Sequence, residues 1–246
     1  MDMNWKKIWS SKKTILSEID SEDEKSIFME LKRLTGNDTT GNGVSYEVLM
    51  DRIERFMSEM TFSEEKEKRK SIFEVGCGSG ANLYVFIKQG YQVGGLDYSG
   101  ALIEVAKQIV NKPLELYCEE AKEMDMAIKY DIVFSNSAFE YFPDEQYAID
   151  VCQKMIEKAN KCIGILEVHD PILKTEFIDF RRKTIQNYDE RYKNLDKLFI
   201  SKELFLNIAE KNELDIKFVK PRIQGYWNTD YIYAVSYTHL TLPTIA

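Results

Sequence analysis

The segment FEVGCGSGAN, residues 73–82, sets glycines at 76, 78 and 80 behind Glu74. Glycines at alternate positions let the backbone bend tightly and let a ligand approach the main chain closely. A helix opening there would present free N–H groups to a negative group on that ligand. About twenty residues on, Asp97 ends the next apolar run, where a carboxylate can accept both hydroxyls of a ribose. Gly loop and Asp97 together imply an adenosine-type ligand. Gly76, Gly78 and Ala81 also satisfy the GxGxxG/A dinucleotide pattern, so an NAD(P)-dependent oxidoreductase fits the same loop. Three features tilt the choice toward a cationic nucleoside. Gly80 is a third alternate glycine that the dinucleotide pattern does not require. Glu74 suits a positive ligand better than a pyrophosphate. About 70 residues precede the motif, whereas nicotinamide domains often begin near their first strand.

These residues need elements to hold them. From residue 71 short apolar runs alternate with helical ones. SIFEV, YQVGGLDY, LELYC, YDIVFSN and KCIGILEV read as strands; GANLYVFIKQG, SGALIEVAKQIV and DEQYAIDVCQKMIEKAN read as helices between them. Such alternation calls for a parallel sheet with right-handed crossovers. PILKTEFIDFRRKTIQNYDERYKNL, residues 171–195, reads as a polar helical insertion over the strand ends, and SKELFLNIAEKNEL as a further helix. DIKFVK and DYIYAV then form a closing antiparallel pair, which makes seven strands. Residues 1–68 read as helical: NWKKIWSSKKTILSEI, EKSIFMELKRL and SYEVLMDRIERFMSEM carry apolar residues at helical spacing, with a breaker stretch at 35–43. The last eleven residues, SYTHLTLPTIA, follow a strand already complete and shift abruptly in composition. They resemble translated foreign sequence, so residues 236–246 are read as a non-native tail and His239 takes no part in the site.

Composition narrows the function. The chain has 246 residues, 44% hydrophobic and 30% charged, with a formal net charge of −8. It can bury a core, and it has no basic block to attract a nucleic acid or an anionic membrane. No apolar run approaches the roughly 20 residues of a membrane span, and the N-terminus lacks the apolar stretch of a secretion signal. Cys77, Cys118, Cys152 and Cys162 show no metal or disulfide spacing, and only two histidines are present. The expectations are a cytoplasmic protein, no metal, and a monomer or homodimer.

FEVGCGSGANL, GGLDYS, YCEEAKEMD and YDIVFSNSAFEYFPD, in this order and spacing, resemble the class I S-adenosylmethionine (SAM)-dependent methyltransferases, over roughly residues 40–235. The likeness is to the small-molecule enzymes with a helical N-terminal cap. It implies an α/β fold: a doubly wound, mostly parallel, Rossmann-like seven-stranded sheet. It implies a cap over 1–68, a SAM-binding domain over 69–235, and an insertion over 170–200 covering the active site. It implies SAM as cofactor. Glu74 and the backbone of Gly76, Cys77, Gly78 and Gly80 would hold its methionine end, and Asp97 the ribose. Tyr98 would pack near the adenine, Glu120 with the backbone of Ala121 would read the adenine edge, and Asn136 and Ser137 would lie under the sulfonium. SAM is net positive, which an acidic pocket complements.

The implied reaction moves a methyl group to an oxygen or nitrogen of a metabolite or sugar, and a base is needed only when the acceptor loses a proton. His169, in LEVHDP, has a free pKa suited to that role, with Asp170 orienting it or capping the next helix. Glu140 and Tyr141 follow the fourth strand and would face the acceptor; relatives in this fold often carry a histidine near Glu140, and this chain does not. Tyr46 would close over SAM. Arg181 and Arg182 would grip an anionic acceptor, although one of such an adjacent helical pair usually points to water. An aminopropyltransferase and a catalytically silent SAM-binding protein share the fold.

Overall fold

β1, Ser71–Val75, shows how the sheet is built. Its residues alternate between faces. Ile72 joins one apolar cluster, and Phe73 and Val75 the other. In this computed structural model, which describes residues 5–36, 43–60 and 71–239, the same alternation recurs in the central strands. Ile132 and Phe134 of β4 (Tyr130–Asn136) face the first cluster and Val133 the second. Cys162 of β5 (Ala159–His169) faces the first, Ile163 and Ile165 the second.

With β2 (Gln92–Asp97), β3 (Glu115–Cys118), β6 (Leu214–Val219) and β7 (Ile232–His239), the strands form one sheet of order β3-β2-β1-β4-β5-β7-β6. All pairs are parallel except those of β7, which runs antiparallel to both β5 and β6. Strand order reverses between β1 and β4, and the carboxyl ends of the strands at such a reversal are where ligands bind.

The first face is covered by α2 (Glu24–Leu34), α3 (Tyr46–Met60), α4 (Ala81–Lys88) and α5 (Gly100–Ile109), the second by α6 (Glu145–Lys158) and α9 (Lys202–Lys211). Caps fit their sequence: Asp23, Ser99, Asp144 and Ser201 each accept a bond from an N–H in the following first turn. Leu31 and Leu34 of α2 are fully buried in the cluster that holds Ile72 and Phe86.

Two sequence readings are corrected, and a third gains detail. The N-terminal helix is shorter than its apolar spacing implies: α1 covers only Trp5–Ser10, and a 3-10 turn takes Leu16–Glu18. The chain leaves the helix because Ile15 N and Thr14 Oγ1 donate to the Glu30 carboxylate at 2.9 and 3.2 Å, a partner the helix would not supply. The helical segment 171–195 is built in pieces. It holds a 3-10 turn at Pro171–Leu173, α7 at Lys174–Thr184 and α8 at Tyr188–Arg191, separated where Asn187 takes a left-handed φ of 55°. β7 does not stop at 235. Ser236, Tyr237 and Thr238 pair with both neighbours, Tyr237 is 1% exposed, and its hydroxyl donates to Phe205 O at 3.1 Å. Residues 240–246, and most of the glycine-rich stretch before Tyr46, lie outside the described residues.

Candidate active site

The turn after β1 uses glycine for space as well as conformation. Gly76 has φ +75°, and a Cβ there would sit 2.6 Å from Ala138 Cβ; Gly78 has φ +54°, and a Cβ would meet Thr35 Cγ2 at 2.7 Å. The turn is pinned to its neighbours. Gly76 N and Cys77 N both donate to Leu96 O at 2.9 Å, and Ser79 Oγ donates to Leu31 O at 2.7 Å. Gly80, left-handed at φ 79°, sits at the N-cap of α4 and supports the loop from behind.

Asp97 closes the loop from the next strand. Its Oδ2 accepts from Gly78 N at 2.9 Å and its Oδ1 from Ser99 N at 2.8 Å. Burial pushes its carboxyl up to about 6, against those two N–H groups, which favour the ionised form. Glu74, 2% exposed, accepts from Asn82 Nδ2 at 2.6 Å through Oε1, while its Oε2 is buried without a partner. Asn82 in turn accepts from Lys32 Nζ at 2.8 Å. Burial drives the Glu74 carboxyl up and the Lys32 ammonium down, each partly offset by the other's charge.

These groups share one cavity of about 630 Å³, within the roughly 300–1,000 Å³ of small-molecule sites. Glu74, Gly76, Cys77, Gly78 and Asp97 line it, and so do Tyr98, Glu120, Ala121, Asn136 and Ser137. Tyr98 presents a buried hydroxyl with no partner. Glu120 is tied to Lys6 at 3.3 Å and accepts from Tyr147 at 3.2 Å. Ser137 holds a left-handed φ of 58° just past β4. The donor set fits a cationic nucleoside. An orphan carboxylate oxygen is available to an ammonium, a second carboxylate lies at the end of β2, and a glycine turn runs between them.

Residues 73–163 match the family model of a methyltransferase domain. Over those residues the chain is similar to methyltransferase domains. The chain is 25% identical over 160 residues to malonyl-[acyl-carrier protein] O-methyltransferase 1 of Ilyobacter polytropus, covering 63% of this chain and 55% of the relative. It is 31% identical over 98 residues to a ubiquinone biosynthesis O-methyltransferase of Coxiella burnetii, 38% of this chain and 42% of the relative. The match thus spans about half the length of these curated relatives. Magnesium protoporphyrin IX methyltransferase of Synechocystis PCC 6803, crystallised with S-adenosylhomocysteine (SAH), shares the fold: TM-score 0.60, 15% identity, 88% of this chain and 100% of that one.

The same cavity carries the remaining candidates. Glu140 and Tyr141 line it, in a 3-10 turn after β4. Glu140 Oε2 accepts from Lys197 Nζ at 2.6 Å and lies 2.9 Å from His169 Nδ1. Burial alone would raise the Glu140 carboxyl; Lys197 and His169 reverse that and hold it at about 2. Tyr141 packs edge-on against Trp5 and Trp9, with centroids 4.7 and 5.5 Å away, and burial holds its hydroxyl protonated far above the usual phenol range.

Gly80, His169 and Tyr46 do not line the cavity. His169 is fully buried behind Glu140, its Nε2 3.2 Å from Asn228 Oδ1 and its ring edge-on to Phe177 and Phe199. It ends the deeply buried β5, so it has no open face for an acceptor. Asp170 does not orient it; it caps the next turn by accepting from Ile172 N. Tyr46 packs edge-on against Phe28, 5.5 Å away, on the first turn of α3, and its ring faces Lys25. Arg181 does line the cavity, whereas Arg182 turns outward to Asp189 at 3.0 Å.

Sequence reasoning missed Lys32, Arg52, Glu167, Lys197 and Tyr226, all of which line the cavity. Arg52 of α3 pairs with Glu167 of β5 and donates to Asn136 Oδ1 at 2.5 Å; Tyr226 donates to Glu167 Oε2 at 2.8 Å. Glu167 holds a left-handed φ of 61°, where the register of β5 against β7 shifts. Strain of that kind gathers at functional sites. A signal was present: Lys32 and Arg52 stand among the apolar stripes of their helices, and Glu167 interrupts the apolar run ILEVH. Lys197 and Tyr226 sit in irregular segments without periodicity to flag them.

Proposed function

We propose that this chain is a methyltransferase that transfers a methyl group to an oxygen or nitrogen of a small metabolite or sugar. The observation that carries the reading is the unpartnered, buried Glu74 Oε2, set beside the glycine turn and facing the same cavity as Asp97. Bound SAM supplies a methyl already activated by a positive sulfur. Glu74 would take its ammonium, Lys32 its carboxylate, and Asp97 the ribose hydroxyls. Tyr98 and Glu120, with the Ala121 backbone, would hold the adenine, and Asn136 and Ser137 would lie beneath the sulfur.

The chain's own work is to align the acceptor and exclude water. Trp5 and Trp9 from the N-terminal segment, and Arg181, Tyr192 and Trp227 from beyond β5, line the acceptor end, which supports the reading of residues 1–68 as a cap and 170–200 as a cover. Glu140, kept ionised by Lys197, orients the acceptor by accepting a hydrogen bond. His169 acts through Glu140 as a positioning residue. No helix among the described residues is long and apolar enough to cross a membrane. Cys77, Cys118, Cys152 and Cys162 are in no disulfide, which supports a reducing, cytoplasmic setting.

Calorimetric titration with SAM and SAH, beside fluorescence titration with NADH, tests the assignment. Binding of SAM and SAH and indifference to NADH are expected. The reverse result returns the glycine turn to a dinucleotide and ends the proposal.

A further inference from the structure

We propose that the acceptor carries a carboxylate on a flat, apolar body, and that Arg181 is the group that grips the carboxylate. The inference rests on the methyltransferase reading and adds the class of its second substrate.

Arg181 lies one helical turn after the buried Phe177 on the inner face of α7, and it is 4% exposed. Four rings surround its guanidinium. Cζ lies 4.7 Å from the Tyr192 centroid, 4.8 Å from Trp227, 5.5 Å from Tyr188 and 5.9 Å from Phe177. Nε is buried with no partner, and no carboxylate among the described residues lies within ion-pair distance.

The neighbouring cations differ. Arg52 is matched by Glu167, and Lys197 by Glu140 at 2.6 Å. Lys12 also lines the cavity, over the Trp9 ring, but it is only half-buried; among the described residues Arg181 is the buried cation of this lining that no carboxylate or amide partner matches. Aromatic rings offset part of the cost of burying a guanidinium through their quadrupoles, but they do not satisfy an in-plane N–H. A carboxylate does, accepting in parallel from Nε–H and one terminal N–H. One buried cation matches one negative charge; a phosphate dianion would need a second, and Arg191, which also lines the cavity, is exposed to solvent. The rings of Trp227, Tyr192 and Tyr141 supply walls for a planar body.

The test uses the full chain saturated with SAH and matched probes: 2-naphthoate against 2-naphthamide, indole-3-acetate against indole-3-acetamide, and 2-naphthyl phosphate. Affinities are read by ligand-observed NMR. At least tenfold preference for acid over amide is expected, lost in Arg181→Gln and partly kept in Arg181→Lys. No acid preference in either pair, preference that survives Arg181→Gln, or tighter binding of the phosphate than of 2-naphthoate would each overturn the proposal. Should Arg181→Gln fail to fold, the wild type decides alone. Its Arg181 Nε–H resonance must move with 2-naphthoate and stay with 2-naphthamide; no movement overturns the assignment. SAH titration of the same samples separates the two readings. Loss of SAH binding in the wild type removes the methyltransferase proposal, whereas intact SAH binding with no acid preference removes only this one.

Discussion

Asp97 is buried at a cost in its ionised form. Its carboxyl is buried, and its pKa rises from 3.8 to about 6 because burial outweighs the Gly78 and Ser99 N–H groups. A carboxyl whose pKa is raised on folding gives its full stabilisation below the unfolded value and loses it as pH climbs through the folded one. Between about pH 4 and pH 6 the ligand-free chain should therefore lose stability on this account, by at most about 3 kcal/mol at 1.36 kcal/mol per unit. Urea unfolding of wild type against Asp97→Asn across that window should show the variant with the shallower decline. SAM affinity should move the other way. Ribose hydroxyls need the ionised carboxylate as acceptor, so affinity should fall below about pH 6, and Asp97→Ala should cost about 1–3 kcal/mol in a calorimetric titration. Unchanged affinity in an intact Asp97→Ala fold would remove Asp97 from the ribose site.

The turn after β1 separates what glycine does for conformation from what it does for space. Gly76 and Gly90 both have φ near +80°, yet a Cβ at Gly90 meets nothing within 4 Å, while one at Gly76 comes within 2.6 Å of Ala138 Cβ. Gly90→Ala should cost only the left-handed strain, about 1–2 kcal/mol. Gly76→Ala adds overpacking of roughly 1–3 kcal/mol. Equal unfolding free energies for the two variants would mean that the approach of β1's turn to Ala138 is slack. Strands and helices with clear periods of 2 or 3.6 were legible in the sequence, and so was this turn, because glycine spacing reports backbone demands directly. Register was less legible. The end of β7 is set by Tyr237 finding a slot beside Phe205, a tertiary fact, and removing residues 236–246 should lower thermal stability measurably by opening that slot. His169 misled for a related reason: a histidine at a strand's carboxyl end faces a ligand or the core depending on a bulge, and β5 shifts register just before it, between Ile165 and Val168.

On the scale of the whole molecule, the cap and the sheet are one core. Phe28, Leu31, Leu34, Leu49 and Ile53 from the N-terminal helices share a cluster with Ile72, Phe86, Ile132 and Phe134. Lys32 and Arg52 from the same helices reach the cavity that Glu74 and Asp97 line. Such a cap does not behave as a separable domain, which would keep its own core across a thin interface. Apolar spacing showed the helices; their sharing of the cavity's wall depends on two basic residues turned inward on apolar faces. SAH at one hundred times its Kd should stabilise the full chain by about 2.7 kcal/mol, or about 5–11 °C for a chain of this size. A chain beginning at residue 69 removes Lys32's bond to Asn82 and Arg52's to Asn136 and Glu167, and uncovers the apolar face of β1 and β4. It should melt lower without ligand, and its SAH-induced shift should collapse to under 2 °C by differential scanning fluorimetry. A truncated chain that kept the full shift would show that the glycine turn, Glu74 and Asp97 suffice to hold the cofactor, and that the cap only covers the acceptor.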